Sequence, residues 1–387
     1  MIRIGITGQS GFIGSHLFNY LSLQKEVERI VFSKTFFQNH ALLRNFVRQC
    51  DIIIHLAATN RHNDPEVLYK TNIELVKKLI NAMNKESVTP HIIFSSSTQE
   101  ERDNLYGRSK KEGRELFQQW AKKNKSIFNG LIIPNVFGPF GKPYYNSVIA
   151  TFSHQLSNNE TPKIEIDGTL KLIYVNELVF EIWEIIKEKN NDAICNIKPT
   201  AEVKVSVILE ILNNFRVQYF ENKIFPAIRN SFELNLFNTF RSYINQAKFY
   251  PVILKKNTDE RGSFIETVKT SVGGQFSFST THPGVTRGDH FHIRKIERFI
   301  VISGKASIKL RRIGTSEILD FGLNGETPAF IDMPVWYTHN ITNVGNEDLL
   351  TLFWINEFFD PSDPDTYLEK VSDLGKSVSP EIHSNDQ

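Results

Sequence analysis

Apolar and polar positions follow two different rhythms along this chain. Over residues 1–130, short runs of consecutive apolar residues alternate with longer stretches of helical spacing, which predicts parallel strand–helix–strand units. The predicted strands are Arg3 to Thr7, Arg29 to Phe32, Asp51 to Leu56, His91 to Phe94 and Leu131 to Ile133. Each is short and largely apolar throughout, as strands are when helices cover both faces of their sheet. Glu74 to Ile80 is typical of the helical runs between them. From Tyr250 to Asn356 the rhythm becomes strand after strand broken by Gly, Pro and Asp turns, as in Arg298 to Gly304, and predicts an all-β sandwich or barrel. The boundary is expected near Lys248, with an α/β domain over 1–245 and a β domain over 246–372. The last residues, 373–387, are polar and are expected to form a disordered tail.

Composition narrows the picture. The 387 residues suffice for two or three domains at roughly 100–200 residues each. A chain 40% hydrophobic and 23% charged is no collagen, low-complexity fibre or wholly disordered protein. With 45 basic and 43 acidic residues, a net charge of +2 makes no electrostatic case for nucleic acid or an anionic membrane. Cys50 and Cys195 are too few for a disulfide framework or a zinc-finger array. The chain opens directly in a predicted strand, without a charged leader, and no apolar stretch reaches the ~18–20 residues of a membrane helix. The expectation is a cytoplasmic protein with neither nucleic-acid nor membrane partner.

The first strand runs into Thr7-Gly8-Gln9-Ser10-Gly11-Phe12-Ile13-Gly14. Glycines at this spacing allow a tight turn and let a pyrophosphate approach the backbone, where the following helix offers free N–H groups. A purely structural turn is the alternative. Dinucleotide sites for NAD carry an acid about 20 residues further on, at the end of the second strand. Here that place holds Ser33-Lys34, a hydroxyl and a cation suited to a 2′-phosphate, so NADPH is expected unless Lys34 is merely a surface charge. Downstream, Tyr106 and Lys110 stand four apart at the start of a predicted helix and so share a face. A neighbouring cation favours phenolate, as a tyrosine that exchanges protons requires. Ser95-Ser96-Ser97 ends the preceding strand and presents hydroxyls.

These elements resemble the extended short-chain dehydrogenase/reductase family, whose TGxxGxxG, Ser and YxxxK elements fall on Gly8/Gly11/Gly14, Ser97 and Tyr106/Lys110. The resemblance implies that Tyr106 is the acid/base, that Lys110 binds the nicotinamide ribose and tunes Tyr106, and that Ser97, or failing it Ser96, orients the substrate oxygen. His55-Leu56-Ala57-Ala58, Asn72 and Pro134 to Gly138 are similar to the family's cofactor- and substrate-side segments. On that basis Phe12, Ile13, Leu56, Ala57 and Ala58 are assigned to the cofactor and Asn135 to the substrate.

In the β domain, His290 and His292 alternate along a predicted strand and so face one way, with Glu297 following. Two imidazoles and a carboxylate can hold a divalent metal, and His339 supplies a possible fourth ligand. The spacing resembles the cupin family: G(X)5HXH(X)4E(X)6G is complete, and PxGxxHxxxN departs only by Trp336 in place of Gly. The alternative is a metal-free barrel whose His and Glu form a hydrogen-bonded network or act directly. Asp259 to Glu266 and Gly284 to His290 are similar to the metal-free 4-keto-hexulose 3,5-epimerases, in which His290 would be the base rather than a ligand. Where those enzymes keep a Tyr pair this chain has Phe358-Phe359, which points to a single inversion, with Tyr337 or metal-bound water moving protons. Arg261, Glu266, Arg287 and Tyr337 are the substrate-side candidates.

Taken whole, the chain resembles the CapF-like bifunctional enzymes of capsule and O-antigen synthesis, through Phe94 to Lys110, Pro143 to Phe152, Asp259 to Glu266 and Pro334 to Asn343. The resemblance implies an extended short-chain dehydrogenase domain followed by a zinc-binding cupin (jelly-roll) domain, working as a homodimer on a UDP-linked 4-keto-6-deoxy amino sugar. It implies epimerisation at carbon 3 in the cupin, then NADPH reduction at carbon 4. Two other readings stay open: a reductase whose cupin serves only dimerisation or ligand binding, and a dinucleotide sensor.

Overall fold

The computed structural model describes residues 1–260, 262–265, 267–270 and 273–372. The expected tail, 373–387, lies outside the described residues. The chain divides into two compact units: residues 1–151 with 164–205, and residues 152–163 with 206–372 of the described chain.

In the first unit, among the described residues, β1 (Ile2–Thr7), β2 (Val27–Ile30), β3 (Ile52–His55), β4 (His91–Ser97), β5 (Phe128–Ile133) and β8 (Cys195–Asn196) form one parallel sheet in the order β2-β1-β3-β4-β5-β8. A smaller sheet joins β6 (Asn135–Phe137), β7 (Thr169–Tyr174) and β9 (Ala201–Lys204). The crossovers include α1 (Phe12–Leu21), α2 (His40–Gln49), α3 (Pro65–Glu86) and α4 (Leu105–Asn124); α5 (Val148–Ser157), which passes into the second unit after residue 151, and α6 (Val175–Glu188) follow. The strands are apolar on both sides because helices cover the sheet: Leu43, Phe46, Leu79, Met83 and Phe117 close over Ile53, Ile92 and Phe94. Each such side chain, fully buried, contributes about 1.5–3 kcal/mol. The strand order reverses beside β1, so the loops after β1, β3 and β4 border one crevice, where α/β sheets bind their ligands.

The second strand ends at Ile30 rather than Phe32. The apolar run continues because Phe32 leaves the sheet to pack on Phe36, Phe37 and Phe46, its N–H donating to Gln9 Oε1 at 3.0 Å.

In the second unit, β10 (Val252–Ile253), β11 (Lys256–Asp259) and β12 (Gly262–Ile265) lead into β13 (Gln275–Thr281), β14 (Thr286–Phe291), β15 (Glu297–Ser303) and β16 (Lys305–Arg312). Then come β17 (Ile318–Asn324), β18 (Ala329–Met333), β19 (Tyr337–Asn343), β20 (Leu349–Ile355) and β21 (Tyr367–Leu368). They form two antiparallel sheets, β10-β18-β15-β20-β13 and β17-β16-β19-β14-β21, beside the β11-β12 hairpin. Phe299, Ile308, Leu310, Phe330, Ile331 and Ile341 share the core.

The helical residues after 205 belong to this β unit. They include α7 (Val205–Phe215) and α8 (Ser231–Arg241). Tyr219 donates to Asp332 Oδ2 at 2.7 Å, and Arg298 grips the same carboxylate at 2.7 and 2.9 Å. Arg241 bonds the Met333 carbonyl at 3.2 Å, and Phe225 packs 4.4 Å from Trp354. Secondary structure changes character near Lys248, whereas packing changes partner at 205.

Among the described residues, no helix is long and apolar enough to cross a membrane.

Candidate functional sites

The glycine turn has the form its spacing predicts. Gly8 takes φ +78°, and a Cβ there would lie 2.8 Å from the Ala57 backbone nitrogen. A Cβ on Gly14 would come within 2.2 Å of the Gly8 carbonyl oxygen. Both positions therefore exclude side chains, Gly8 because the loop after β3 lies against it and Gly14 because α1 starts hard against the turn. Gly11 begins α1 without a side chain to cap it, so the first N–H groups of the helix, at Phe12 and Ile13, are left to an anion. Leu56-Ala57-Ala58 borders the same turn: Leu56 N–H donates to Thr7 O at 3.1 Å and Ala57 N–H to Thr7 Oγ1 at 3.4 Å. At the end of the second strand, Ser33 caps a short 3-10 turn through Thr35 N–H, and Lys34 is exposed.

Ser96 and Ser97 part company at the end of β4. The Ser96 hydroxyl donates to Glu100, whose carboxylate is buried against Arg114 at 2.8 and 3.0 Å. Ser97 is half-buried and its oxygen accepts Gln99 N–H at 3.2 Å, leaving the hydroxyl hydrogen for another acceptor. Tyr106 and Lys110 lie one turn apart on α4, with the Lys110 nitrogen 6.0 Å from the Tyr106 ring centre. That nitrogen donates to the Ser95 carbonyl at 2.8 Å, and burial pulls its ammonium down to about 8. The Tyr106 phenol does not move down as the sequence suggests. Burial pushes it up to about 12, with Tyr145 adding to the effect, because the buried cation is turned towards Ser95 instead of the phenol. Asn72 has a role that spacing did not show: it accepts Thr59 N–H at 2.7 Å and donates to Ser109 Oγ at 3.1 Å, tying the loop after β3 to α4. Asn135 is exposed at the start of β6 and bonds the Lys171 carbonyl at 3.3 Å.

The β unit brings its four predicted ligands together. One ligand atom from each of His290, His292, Glu297 and His339 lies within 4.8 Å of the others. Pairing of β14 with β19 puts His290 opposite His339, and Glu297 opens β15. His292 Nε2 stands 3.0 Å, His339 Nε2 3.1 Å and His290 Nε2 3.8 Å from Glu297 Oε2. The two buried rings have their other nitrogen on a backbone carbonyl, His292 Nδ1 on Asp365 O at 2.5 Å and His339 Nδ1 on Tyr337 O at 3.2 Å. With the proton on Nδ1 in each, an Nε2 lone pair would be turned inward for a cation; as the site stands, His339 Nε2 lies within hydrogen-bonding distance of the Glu297 carboxylate, which can only accept. His292 Nε2 is buried and, near as it is to Glu297, is not aligned to hydrogen-bond any described residue. Converging lone pairs around a carboxylate fit a divalent cation, and three imidazoles with one carboxylate are a zinc-type donor set.

Burial works against the Glu297 charge, yet the surrounding imidazoles hold it well below the usual carboxylate range. For His292, burial is outweighed by Glu297, which raises it, whereas burial pulls His339 down to about 4. His290 is the most open of the three histidines, its side chain 21% exposed. Tyr337 shares a face of β19 with His339, and burial raises its phenol. Arg287 is exposed, its guanidinium bonded to Thr281 Oγ1 at 3.0 Å and Thr280 O at 3.1 Å. Arg261 and Glu266 lie outside the described residues.

Trp336 occupies the Gly place of the second cupin motif with φ +62°, a left-handed backbone that favours glycine. Its backbone N–H donates to the His292 carbonyl at 2.8 Å and its ring stacks on Phe291 at 5.5 Å.

Comparison with known proteins matches residues 4–197 to the NAD dependent epimerase/dehydratase family and residues 257–367 to the polysaccharide biosynthesis C-terminal domain. The chain is 32% identical over 375 residues to the UDP-2-acetamido-2,6-beta-L-arabino-hexul-4-ose reductase of Pseudomonas aeruginosa PA103, covering 96% of this chain and 100% of that one. It superposes on the crystal structure of the capsular polysaccharide assembling protein CapF from Staphylococcus aureus with a TM-score of 0.61, at 33% identity, over 95% of this chain and 100% of that one. RMD from Pseudomonas aeruginosa, solved with NADPH, shares the fold over 56% of this chain and 83% of its own, at a TM-score of 0.51 and 20% identity.

Proposed function

This chain belongs to the NAD dependent epimerase/dehydratase family, with a polysaccharide biosynthesis C-terminal domain behind it, and from that premise we propose a bifunctional sugar-nucleotide enzyme. The cupin epimerises carbon 3 of UDP-2-acetamido-2,6-dideoxy-4-hexulose. The N-terminal domain then reduces the carbon 4 ketone to UDP-2-acetamido-2,6-dideoxy-L-talose, for UDP-N-acetyl-L-fucosamine in capsule or O-antigen. The order follows from acidity: the hydrogen on carbon 3 can be removed only while carbon 4 is a carbonyl, and reduction ends that. The reading is carried by one chain holding both the glycine turn with Tyr106 and Lys110 and, in its other unit, four ligand atoms within 4.8 Å.

In the reductase, the Gly8–Gly14 turn with Phe12 and Ile13 holds the pyrophosphate, Leu56, Ala57 and Ala58 line its flank, and Ser33 and Lys34 take the 2′-phosphate. NADPH, when bound, supplies the hydride. Ser97 orients the carbon 4 oxygen, with Asn135 on the substrate side, and Tyr106 delivers the proton to that oxygen. A phenol pushed up to about 12 holds its proton at neutral pH until the developing alkoxide takes it. Lys110, held by the Ser95 carbonyl one turn from Tyr106, binds the nicotinamide ribose, and its charge lowers the cost of the phenolate left behind.

In the cupin, His290, His292, Glu297 and His339 hold a divalent metal, zinc by its donor set, which supplies Lewis acidity when bound. His290 acts there as a ligand and not as the base, and Tyr337, beside His339, moves a proton at carbon 3. Arg287, Arg261 and Glu266 bind the substrate. The enzyme works in the cytoplasm as a homodimer.

Heavy water tests the scheme. The purified protein is given the UDP-4-keto sugar without NADPH, and carbon 3 is followed by NMR. Deuterium should appear there, persist in Tyr106→Phe and vanish in His290→Asn. No exchange, with NADPH still consumed on the same substrate, would leave a plain 4-ketoreductase whose cupin serves binding or dimerisation.

A further inference from the structure

We propose that Asp365 is a positioning residue for the His/Glu centre, fixing the loop from His292 to Glu297 with its carboxylate and the His292 ring with its backbone carbonyl. The inference rests on the reading of that cluster as a metal centre. Asp365 is 2% exposed and touches four consecutive residues. Its Oδ1 accepts Ile293 N–H at 3.2 Å, its Oδ2 accepts Arg294 N–H at 3.0 Å and Lys295 N–H at 2.8 Å, and its carbonyl accepts His292 Nδ1–H at 2.5 Å. The three backbone N–H groups lie in the turn between β14 and β15, outside both strands. That turn separates the ligands His290 and His292 from Glu297.

A carboxylate suits the task because three N–H groups aimed at one anion form charge-assisted bonds, stronger than neutral ones. The backbone of Asp365 sits at φ +43°, a left-handed conformation that Asp and Asn tolerate better than most residues and that persists where surroundings enforce it. They do so here. Lys295 Nζ donates to the Pro364 carbonyl at 2.8 Å, and Leu368 pairs with His290 in the sheet. Asp289, next to His290, accepts Val371 N–H on its carboxylate at 3.1 Å and Glu369 N–H on its carbonyl at 2.9 Å. The segment from Pro364 to Val371 therefore straps the whole ligand-bearing stretch, and Asp365 is its clasp.

The test compares the full-length wild type with Asp365→Ala and Asp365→Asn. Two quantities are read: Co2+ affinity from the visible absorption of the bound ion, and the His292 tautomer from imidazole 15N shifts without metal. Asp365→Ala should bind Co2+ about 10–100-fold more weakly, with altered absorption bands, and should lose the His292 Nδ1–H hydrogen bond, as read from the imidazole 15N shifts. Asp365→Asn keeps an acceptor oxygen and tolerates the same backbone, so it should shift both readouts the same way but less. It also decides the matter if the alanine variant does not fold. Wild-type affinity, bands and tautomer in a folded variant would overturn the role. Should the wild type itself take no Co2+, the metal reading fails, and the His292 tautomer alone decides the case for Asp365.

Discussion

Two side chains show how a residue's surroundings set its behaviour. His55 ends β3 fully buried, its Nδ1 2.8 Å from Thr7 Oγ1, its ring 5.8 Å from Phe94 and 5.4 Å from Phe117. Burial first, and then the Lys110 charge, pull its pKa to about 3 from 6.5. Between those values the unfolded chain binds a proton that the folded chain refuses. The stability it secures is therefore complete above pH 6.5 and drains away as pH falls towards 3, at up to about 1.4 kcal/mol per pH unit. His55→Asn should flatten that acid limb in urea midpoints measured from pH 7 to 4. Trp336 presents the opposite balance. Trp336→Gly relieves a left-handed backbone worth about 1–2 kcal/mol, but removes a buried ring, a loss of about 3–5 kcal/mol. The ring wins, so the variant should lose about 1–4 kcal/mol by urea unfolding.

At the scale of elements, the join between β4 and α4 depends on an ion pair. Glu100 lies in the 3-10 turn at Thr98–Glu101 and Arg114 near the middle of α4, and both side chains are less than a tenth exposed. Their pairing, with the Ser96 hydroxyl donating to Glu100, holds the serine strand end against the helix that carries Tyr106 and Lys110. Arg114→Met strands a buried carboxylate and should cost about 3–5 kcal/mol, whereas Arg114→Met with Glu100→Leu should recover most of it. Urea unfolding of the single and double variants reads the difference. The serine run and the Tyr–Lys spacing were legible because strand ends and helix faces repeat at fixed intervals. Glu100 and Arg114 were not, since fourteen residues and a turn separate them.

For the molecule as a whole, the rhythm of apolar positions marks the α/β and β halves, but it does not say to which core the helices between them belong. Arg298 and Asp332, 1% and 0% exposed, are covered by Tyr219 and Arg241 from that helical stretch. A fragment beginning at residue 246 would leave this charge pair and Trp354 facing water. It should melt broadly and bind a hydrophobic dye, while a fragment beginning at residue 206 should melt cooperatively and resist limited proteolysis. Equal behaviour of the two fragments would show that the helices are dispensable to the β core.

The amino-acid sequence by itself determined the two rhythms of the chain, the glycine turn after β1, the Tyr106–Lys110 face and the His290–His292 pair. Each depends on spacing within one element or turn, and steric limits on the backbone convert that spacing directly into geometry. Only the tertiary structure decided that His339, a possible fourth ligand by motif spacing, does meet Glu297 across 42 residues, that Asp365 clasps His292 across 73, and that Tyr219 reaches Asp332 across 113. It also decided the proton affinities, turning Tyr106 up where the nearby lysine suggested down. Such contacts depend on the path of the whole chain, and such affinities on how much water the packed core excludes. Neither quantity is stored in any local run of residues.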